Sequence, residues 1–261
     1  LGALAATHAP RYRAPFQARL GETRFAPYGE VQALTERLDE QVAAVLIEPV
    51  QGEGGARRPP QGFLAEVVER AHEVGALVVV DEVQTGLGRC GEPLAIHGEG
   101  VQPDLVCLAK SLAAGLPLGA TVAHERLEGL ARGLHGTTFG GNPVACQAAL
   151  AVLDVLDAEG LADRARTHGE QLVQGLEALG HDLLRDVRGQ GLLVAADLGV
   201  RATPVLQALQ ARGVLALPAG QGTLRFLPPL VIQEDEVARL IQETGAALDQ
   251  VAQRYARGVS A

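Results

Sequence analysis

The feature that most constrains the fold is a series of short apolar segments, most of which end in a polar residue. They cover residues 43–47, 77–80, 105–109 and 116–123. Stretches with helical spacing of apolar residues, or long crossovers, separate them. Buried strands of a parallel sheet form such continuous apolar runs because helices cover both faces of the sheet. The pattern therefore predicts an α/β fold with a mainly parallel sheet flanked by helices.

The spacing of apolar residues between and after these strands predicts several long helices. We expect helices over residues 31–41, 62–74, 142–158 and 161–179. Residues 1–27 are basic and contain prolines at positions 10, 15 and 27, so we expect an irregular surface connection there.

The pattern changes after Gly180. Short strand candidates then alternate with a helix over about 203–211 and a final helix over about 234–254. This alternation is typical of a smaller α+β unit. We therefore predict two domains, with residues 1–158 forming part of a large domain and residues 159–261 forming a small C-terminal domain.

Composition excludes several classes of protein. The formal net charge of −9 argues against a nucleic-acid partner, since phosphate binding requires a basic surface. The apolar runs are too short to cross a membrane and no signal-peptide pattern opens the chain, so a cytoplasmic location is expected. Three widely spaced cysteines and seven scattered histidines match neither a disulfide framework nor a metal-ligand motif. We expect no metal.

Lys110 is the only lysine of the chain, whereas arginine supplies the other 21 of the 22 basic residues. Arginine stays protonated, while a lysine amine can lose its proton and form a Schiff base with a carbonyl compound. The lone amine is therefore a candidate for chemistry. An arginine-biased composition that left one lysine by chance is the alternative.

Glu48, Asp81 and Lys110 each follow an apolar strand. Ligands of open α/β sheets bind beyond the carboxyl ends of the strands, so we expect these residues to share a site. A carboxylate beside a Schiff-base lysine suits pyridoxal phosphate, because it can hold a proton on the pyridine nitrogen. Alternatively, Asp81 caps a helix or pairs with Arg89.

The segment 136–142 places Thr137, Thr138 and several glycines just before a predicted helix. Hydroxyls and backbone amides at a helix N-terminus suit a phosphate group. A plain helix cap is the alternative. No GxxxxGK[ST] or GxGxxG motif occurs, which favours a phosphate-bearing ligand other than a nucleotide.

Five motifs occur in a characteristic order: 48–55 (EPVQGEGG), 81–86 (DEVQTG), 109–112 (AKSL), 135–143 (HGTTFGGNP) and 225–230 (RFLPPL). Together they resemble the class III aminotransferases, which are fold-type I pyridoxal-phosphate enzymes. The resemblance is to the acetylornithine/ornithine branch, which includes enzymes acting on a carrier-linked aminoadipate semialdehyde. It covers nearly the whole chain.

The resemblance implies a role for each residue of the predicted cofactor site. Lys110 would hold pyridoxal phosphate as a Schiff base and then move the proton between substrate and cofactor. Asp81 would keep the pyridine nitrogen protonated. Gln84 would hydrogen-bond near the ring oxygen of the cofactor, and Glu48 would support the site.

The resemblance also assigns residues to a second subunit and to the substrate. Thr138, with Thr137 as a less certain companion, would reach the phosphate of the cofactor in the neighbouring subunit of a homodimer. Arg225 would bind a substrate carboxylate, and Glu53 would neutralise Arg225 when no carboxylate is present. A structural ion pair is the alternative for Arg225.

The expected reaction is transfer of an ω-amino group to 2-oxoglutarate, in arginine or lysine biosynthesis. The expected donor is N-acetylornithine or a lysine precursor bound to an amino-group carrier protein. The alternatives are an ornithine or 4-aminobutyrate aminotransferase and a noncatalytic binding protein with the same fold. The chain starts after the family's earlier cofactor-binding motifs, so we expect that the N-terminal third of the enzyme is not included.

Overall fold

In a computed structural model, the chain forms two four-stranded β-sheets, and the structure describes residues 1–127, 129 and 133–257. The first sheet consists of β1 (Ala44–Ile47), β2 (Leu77–Asp81), β3 (Leu105–Leu108) and β4 (Ala120–Ala123), in that order. β1, β2 and β3 are parallel, and β4 is antiparallel to β3. The predicted α/β fold with a mainly parallel sheet is confirmed.

The N-terminal segment contains more regular structure than its prolines indicated. It forms α1 (Gly2–Ala5), α2 (Pro10–Arg13) and a 3₁₀ helix over Ala14–Arg19. Pro10 occupies the first turn of α2, where a missing N–H costs little, so this proline starts a helix instead of preventing one.

Two helices follow this segment, and the second covers one face of the first sheet. The helix α3 (Val31–Thr35) is shorter than the predicted 31–41, whereas α4 (Phe63–Glu73) matches its prediction closely. Phe63, Leu64, Val67 and Ala71 of α4 pack with Val78 and Val80 of β2 in one buried cluster. The opposite face of the sheet is less covered, and Leu46 of β1 is 50% exposed there. Asp81 lies on this second face, because side chains alternate along β2.

The remaining elements lie on both sides of the predicted boundary at residue 158. They are α5 (Pro143–Ala158), α6 (Leu161–Ala178), β5 (Leu184–Gln190), β6 (Leu193–Leu198), α7 (Ala202–Ala211), β7 (Leu217–Pro218), β8 (Thr223–Phe226) and α8 (Glu234–Ala256). β5 to β8 form an antiparallel sheet in the order β5, β6, β8, β7. The division into two domains remains a prediction.

A separate core holds the second sheet to α6, α7 and α8. Leu172, Leu176, Val194, Leu224 and Leu248 are among its fully buried members. The two sheets meet where Val50 and Cys90 pack with Leu193 and Ala195 of β6. This junction brings the loops after β1 and β2 next to the second sheet.

The helix α8 starts with a capping box between Gln233 and Glu236. Its buried residues recur on one side, so the helix is amphipathic. Over residues 1–127, 129 and 133–257, not one helix combines the length and the apolar character needed to cross a membrane.

Candidate active site

The three parallel strands end at the same edge of the first sheet, and this edge carries Glu48, Asp81 and Lys110. Ile47 pairs with Val80 in the ladder, so Glu48 and Asp81 follow on neighbouring strands. Asp81 pairs with Cys107, and Lys110 comes three residues later. The structure thus brings the three predicted residues to one edge of the sheet.

The backbone of Lys110 is in the left-handed region, with φ of +47°. Such a conformation is costly for a residue other than glycine and often occurs at functional sites. Lys110 starts a 3₁₀ helix, Lys110–Ala113, whose Leu112 and Ala113 are buried against Ala145 and Ala149 of α5. This buried anchor holds the turn, while the Lys110 side chain is exposed.

Asp81 is positioned by the turn that follows β2. Its Oδ1 accepts the backbone N–H of Val83 at 3.0 Å. Arg89, considered above as a partner of Asp81, instead donates to the carbonyl oxygens of Leu192 at 3.1 Å and Pro228 at 2.5 Å. Burial lowers the pKa of Arg89. The Asp81 carboxylate therefore does not serve as the counter-ion of this arginine.

Glu82 ties the turn after Asp81 to neighbouring groups through two hydrogen bonds. It is fully buried, and its Oε1 accepts the backbone N–H of Ile96 at 2.8 Å. Its Oε2 accepts the hydroxyl of Thr85 at 2.5 Å. Buried carboxylates are stable only with such donors. Glu82 thus acts within the scaffold, next to the predicted functional Asp81.

Glu48 is held by backbone contacts on both sides. Its Oε2 accepts the N–H of Gly52 at 3.0 Å, and the Tyr28 hydroxyl lies 3.0 Å from the Glu48 carbonyl oxygen. Burial raises the pKa of Glu48, the Gly52 hydrogen bond opposes this, and repulsion by Asp81 adds to it. The positive charge of Lys110 acts in the opposite direction. The charges of Asp81 and Lys110 therefore both act on the pKa of Glu48, in opposite directions.

Glu53 and Arg225 form an ion pair between the loop after β1 and strand β8. Arg225 Nη1 lies 2.7 Å from Glu53 Oε1. The same nitrogen lies 3.3 Å from Gln84 Oε1, so Gln84 shares this site. Arg225 Nε is buried and has no hydrogen-bond partner among the described residues. Buried donors are normally paired, so this Nε is an exception among the described side chains.

Gln84 depends on a glycine for its position. A Cβ atom on Gly52 would lie 1.5 Å from Gln84 Oε1, so only glycine leaves room for the amide where it stands. Gly52 belongs to the motif 48–55, and the position of Gln84 requires a glycine there.

Thr137 and Thr138 lie in an exposed loop before α5. Thr137 Oγ1 accepts the N–H of Gly140 at 3.2 Å, while Asn142, and neither threonine, caps α5 through the N–H of Ala145. Within the described part of the chain, no hydrogen bond joins either threonine to Lys110, Asp81 or Glu48. Their predicted role concerns a neighbouring subunit and remains a prediction.

Sequence reasoning missed the residues that hold the Glu53 loop and the end of β1. Tyr28 is one, and its hydroxyl also lies 2.9 Å from the Pro49 carbonyl oxygen. Arg188, Asp197 and Thr223 form another group, in which Arg188 also contacts the Gly55 carbonyl oxygen. The only signal available for the second group was the turn at Gly191, which places β5 and β6 in one hairpin.

Comparison with known proteins places the chain in a family. The aminotransferase class-III family matches residues 1–248. The acetylornithine aminotransferase of Streptomyces coelicolor is 46% identical over 256 residues, and that of Methanopyrus kandleri is 43% identical over 251 residues. These alignments cover 97% and 95% of this chain and 64% of each relative. The chain thus spans about two thirds of the length of the relatives it matches.

Solved structures show the same fold. An ornithine aminotransferase from Toxoplasma gondii ME49 is 34% identical, with a TM-score of 0.89 over 97% of this chain and 62% of that chain. An acetylornithine aminotransferase from Elizabethkingia anophelis is 37% identical, with a TM-score of 0.79 over 86% of this chain and 62% of that chain. The fold is therefore the fold-type I fold of pyridoxal-phosphate aminotransferases.

Pyridoxal phosphate is the cofactor of this family, and a further Toxoplasma gondii ornithine aminotransferase structure, with a TM-score of 0.90, is described with partial occupancy of PLP at its active site. The residues of the present chain fit this group. An exposed amine and a carboxylate lie at one strand edge, and the buried guanidinium of Arg225, which contacts Gln84 after the second strand, carries an Nε with no partner among the described residues. The match over residues 1–248, the shared fold and this set of side chains lead to one conclusion: the chain belongs to the aminotransferase class-III family.

Proposed function

We propose that the protein is a pyridoxal-phosphate aminotransferase that moves the ω-amino group of N-acetylornithine to 2-oxoglutarate. The support is twofold. Relatives that are 43–46% identical are acetylornithine aminotransferases. The site also contains one buried arginine, Arg225, whose charge is balanced by the exposed Glu53.

The Glu53–Arg225 pair is the observation that carries the proposal. An aminotransferase must accept two substrates in turn in one pocket. 2-Oxoglutarate brings a second carboxylate to the pocket, whereas the ω-end of the donor brings none. Arg225 can bind that carboxylate when Glu53 moves away into solvent, and Glu53 can neutralise Arg225 when the donor is bound. The exposure of Glu53 makes this exchange inexpensive.

The residues of the strand edge would carry out the proton transfers. Pyridoxal phosphate, when bound, supplies an electron-accepting ring that stabilises negative charge on the carbon losing its proton. Lys110 would hold the cofactor through its amine and would move the proton of the substrate carbon. Asp81 would keep a proton on the pyridine nitrogen. Glu48 would support the cofactor site, and Gln84 would hydrogen-bond near the cofactor ring oxygen.

We infer that the enzyme is a homodimer in which Thr138, with Thr137, contacts the cofactor phosphate of the partner. The loop and helix around these threonines carry exposed apolar side chains. Leu134 is 74% exposed, Phe139 is 82% exposed and Val144 is 70% exposed. Such a patch favours burial against another protein surface. A second copy is the occupant that would also use the threonines.

The biological setting follows from the same proposal. The enzyme would act in the cytoplasm in arginine biosynthesis. A lysine precursor held by an amino-group carrier protein is a second donor, because the same ω-amino chemistry serves lysine biosynthesis.

A donor panel tests the proposal. The full-length protein is supplied with N-acetylornithine, ornithine and 4-aminobutyrate in turn, with 2-oxoglutarate as the acceptor, and glutamate formation is measured. We expect the highest kcat/KM with N-acetylornithine. A preference for ornithine or 4-aminobutyrate would reassign the donor, and the absence of turnover with all three would contradict the proposal.

A further inference from the structure

The structure assigns a positioning role to Arg188, which holds the loop that carries Glu53. This inference rests on the proposed function, because it concerns the exchange between Glu53 and a substrate carboxylate at Arg225. Arg188 lies on β5, in the second sheet, and the loop it holds follows β1 of the first sheet.

The contact with the loop is a single, well-defined hydrogen bond. Arg188 Nε donates to the carbonyl oxygen of Gly55 at 2.8 Å. Gly55 is buried and has φ of +92°. A Cβ atom there would lie 3.0 Å from Arg188 Nη2, so the glycine allows the guanidinium to lie directly against the loop.

Arg188 is itself fixed by carboxylates. Its two terminal nitrogens lie 2.7 Å and 3.0 Å from the two carboxylate oxygens of Asp197, and Nη1 also lies 2.5 Å from Asp186. Thr223 donates its hydroxyl to Asp197 at 2.5 Å. A bidentate arginine–carboxylate pair has a defined geometry, so the remaining Nε–H points in one direction. That direction is towards Gly55.

Further contacts hold the loop backbone on both sides of Glu53, among them the bond from the Gly52 N–H to Glu48 Oε2 at 3.0 Å and the bond from Arg57 Nε to the Gly54 carbonyl oxygen at 3.0 Å. Gln51 and Arg57 exchange backbone hydrogen bonds of 2.9 Å and 3.2 Å at the base of the loop. Gly52 packs against Gln84. Glu53 is exposed between these attachments. Its side chain can therefore leave Arg225 while the loop backbone stays in place.

The group has a direct link to Arg225. Thr223 and Arg225 lie on the same strand, β8, and pair with Asp197 and Ala195 of β6. The strand that carries the substrate-binding arginine thus also carries the threonine that supports the Arg188–Asp197 pair. Arg188 fixes the distance between the Glu53 loop and Arg225.

The test compares Arg188→Gln, Arg188→Lys and Glu53→Gln in the full-length protein. Arg212→Gln is the matched control, because Arg212 pairs with Glu243 in the same domain and lies outside this group. Arg188→Lys retains the charge beside Asp186 and Asp197 but lacks the guanidinium fork, so it serves if Arg188→Gln does not fold.

Two measurements are made. Without added cofactor, hydrogen exchange of the amides of residues 52–57 should become at least about tenfold faster in both Arg188 variants and stay unchanged in Arg212→Gln. With cofactor, the KM for the amino donor should rise by about fivefold, while the KM for 2-oxoglutarate stays the same or falls. Glu53→Gln should show the same KM split.

The outcomes separate the two proposals. Unchanged exchange in the loop, or equal increases of both KM values in the Arg188 variants, would overturn the role of Arg188. If Glu53→Gln shows the split and the Arg188 variants do not, only this inference fails. If Glu53→Gln shows no split, the proposed use of Arg225 fails as well.

Discussion

Glu53 and Arg225 lie 2.7 Å apart, yet the side chain of Glu53 is 78% exposed and that of Arg225 is 4% exposed. The pair therefore consists of one charge that is anchored in the protein and one that can leave. An exposed partner contributes little to stability, since water screens the interaction. The asymmetry suits a site in which a substrate carboxylate replaces a protein carboxylate.

Arg225→Lys tests the anchored half of the pair in the full-length protein. Lysine keeps the charge but cannot form two parallel hydrogen bonds with a carboxylate. We expect the KM for 2-oxoglutarate to rise by about tenfold, because roughly one strong hydrogen bond is lost. The KM for N-acetylornithine should change little, since its ω-end carries no carboxylate. Steady-state kinetics with each substrate varied in turn measures both values.

Arg212→Lys is the control for this variant. It makes the same change in an ion pair with Glu243 of α8, away from the candidate site. Equal increases of KM for both substrates would contradict a carboxylate-binding role for Arg225.

Lys110→Ala and Lys110→Arg test the amine. Arginine retains a positive charge near Glu48 but cannot react with a carbonyl. We expect both variants to lose the visible absorbance band of lysine-bound pyridoxal phosphate and to lose at least about 100-fold in kcat, the range for proton transfer by a positioned group. Comparison of the two variants distinguishes loss of the positive charge from loss of the reactive amine.

Borohydride reduction of the wild-type protein provides a direct readout. Lys110 is the only lysine among residues 1–261. Peptide mass spectrometry of this part of the protein should therefore find the reduced cofactor on Lys110 alone. A band that survives in Lys110→Arg would contradict the role.

The sequence predicted the strand edge well because its signals are local. Apolar runs identify the strands, and a polar residue after each run identifies the edge, so the sequence alone points to Asp81 and Lys110. The same reasoning predicted the first and last residues of α4 closely. It overestimated α3, which ends at Thr35 where 31–41 was expected, because helical spacing does not reveal where tertiary packing stops.

The contacts between the two sheets could not be predicted in this way. Arg188 and Gly55 are 133 residues apart in sequence, and neither belongs to a motif that requires the other. Tyr28 lies between the segment 1–27 and the helix predicted over 31–41 and belongs to none of the five motifs, yet its hydroxyl contacts the backbone at Glu48 and Pro49. Such contacts depend on how the sheets pack, and no local pattern encodes that packing.

Gly52→Ala tests the close approach between the Glu53 loop and Gln84. The added Cβ would lie 1.5 Å from Gln84 Oε1, which is the end of a flexible side chain and can move away. We therefore expect the fold to survive and the contact between Gln84 and Arg225 to be lost. The midpoint of thermal unfolding should change by only a few degrees, about what 1 kcal/mol produces in a protein of this size.

The functional effect should be larger than the effect on stability. We expect affinity for pyridoxal phosphate, measured by absorbance titration, to fall by about fivefold, since one hydrogen bond is lost. Gly54→Ala is the control two residues further along, where the three atoms nearest to the added Cβ all belong to Gln51, at 3.0 Å (Oε1), 3.1 Å (Cβ) and 3.6 Å (Cδ). Equal affinities in the two variants would show that Gln84 does not contact the cofactor.

Asp104 provides a prediction about pH that is independent of the candidate site. It lies just before β3, at the opposite edge of the sheet from Lys110, and its side chain is 1% exposed. Its Oδ2 accepts the Val78 N–H at 2.7 Å and lies 2.9 Å from His72 Nε2, and its Oδ1 contacts Arg126. Burial acts to raise the pKa of Asp104, but the Val78 and His72 hydrogen bonds and the charge of Arg126 outweigh it, so the pKa is lowered.

The direction of this pKa shift determines the pH range of the effect. Because the folded pKa lies below the unfolded value of about 3.9, the ionised carboxylate stabilises the fold above that pH, and the contribution is lost as pH falls through the folded pKa.

Asp104→Asn should lower the free energy of unfolding at pH 7 by about 1–3 kcal/mol, the range for a hydrogen bond to a charged group. Urea unfolding of wild type and variant should give a difference that is present at pH 5 and above and shrinks below about pH 4. Glu73→Gln is the control, because it alters an exposed ion pair with Arg70 and should change stability by less than about 0.5 kcal/mol. If the difference in the free energy of unfolding between wild type and Asp104→Asn stays unchanged down to pH 3, the ionised carboxylate is not the source of the stability. The difference then comes from altered packing of the introduced amide.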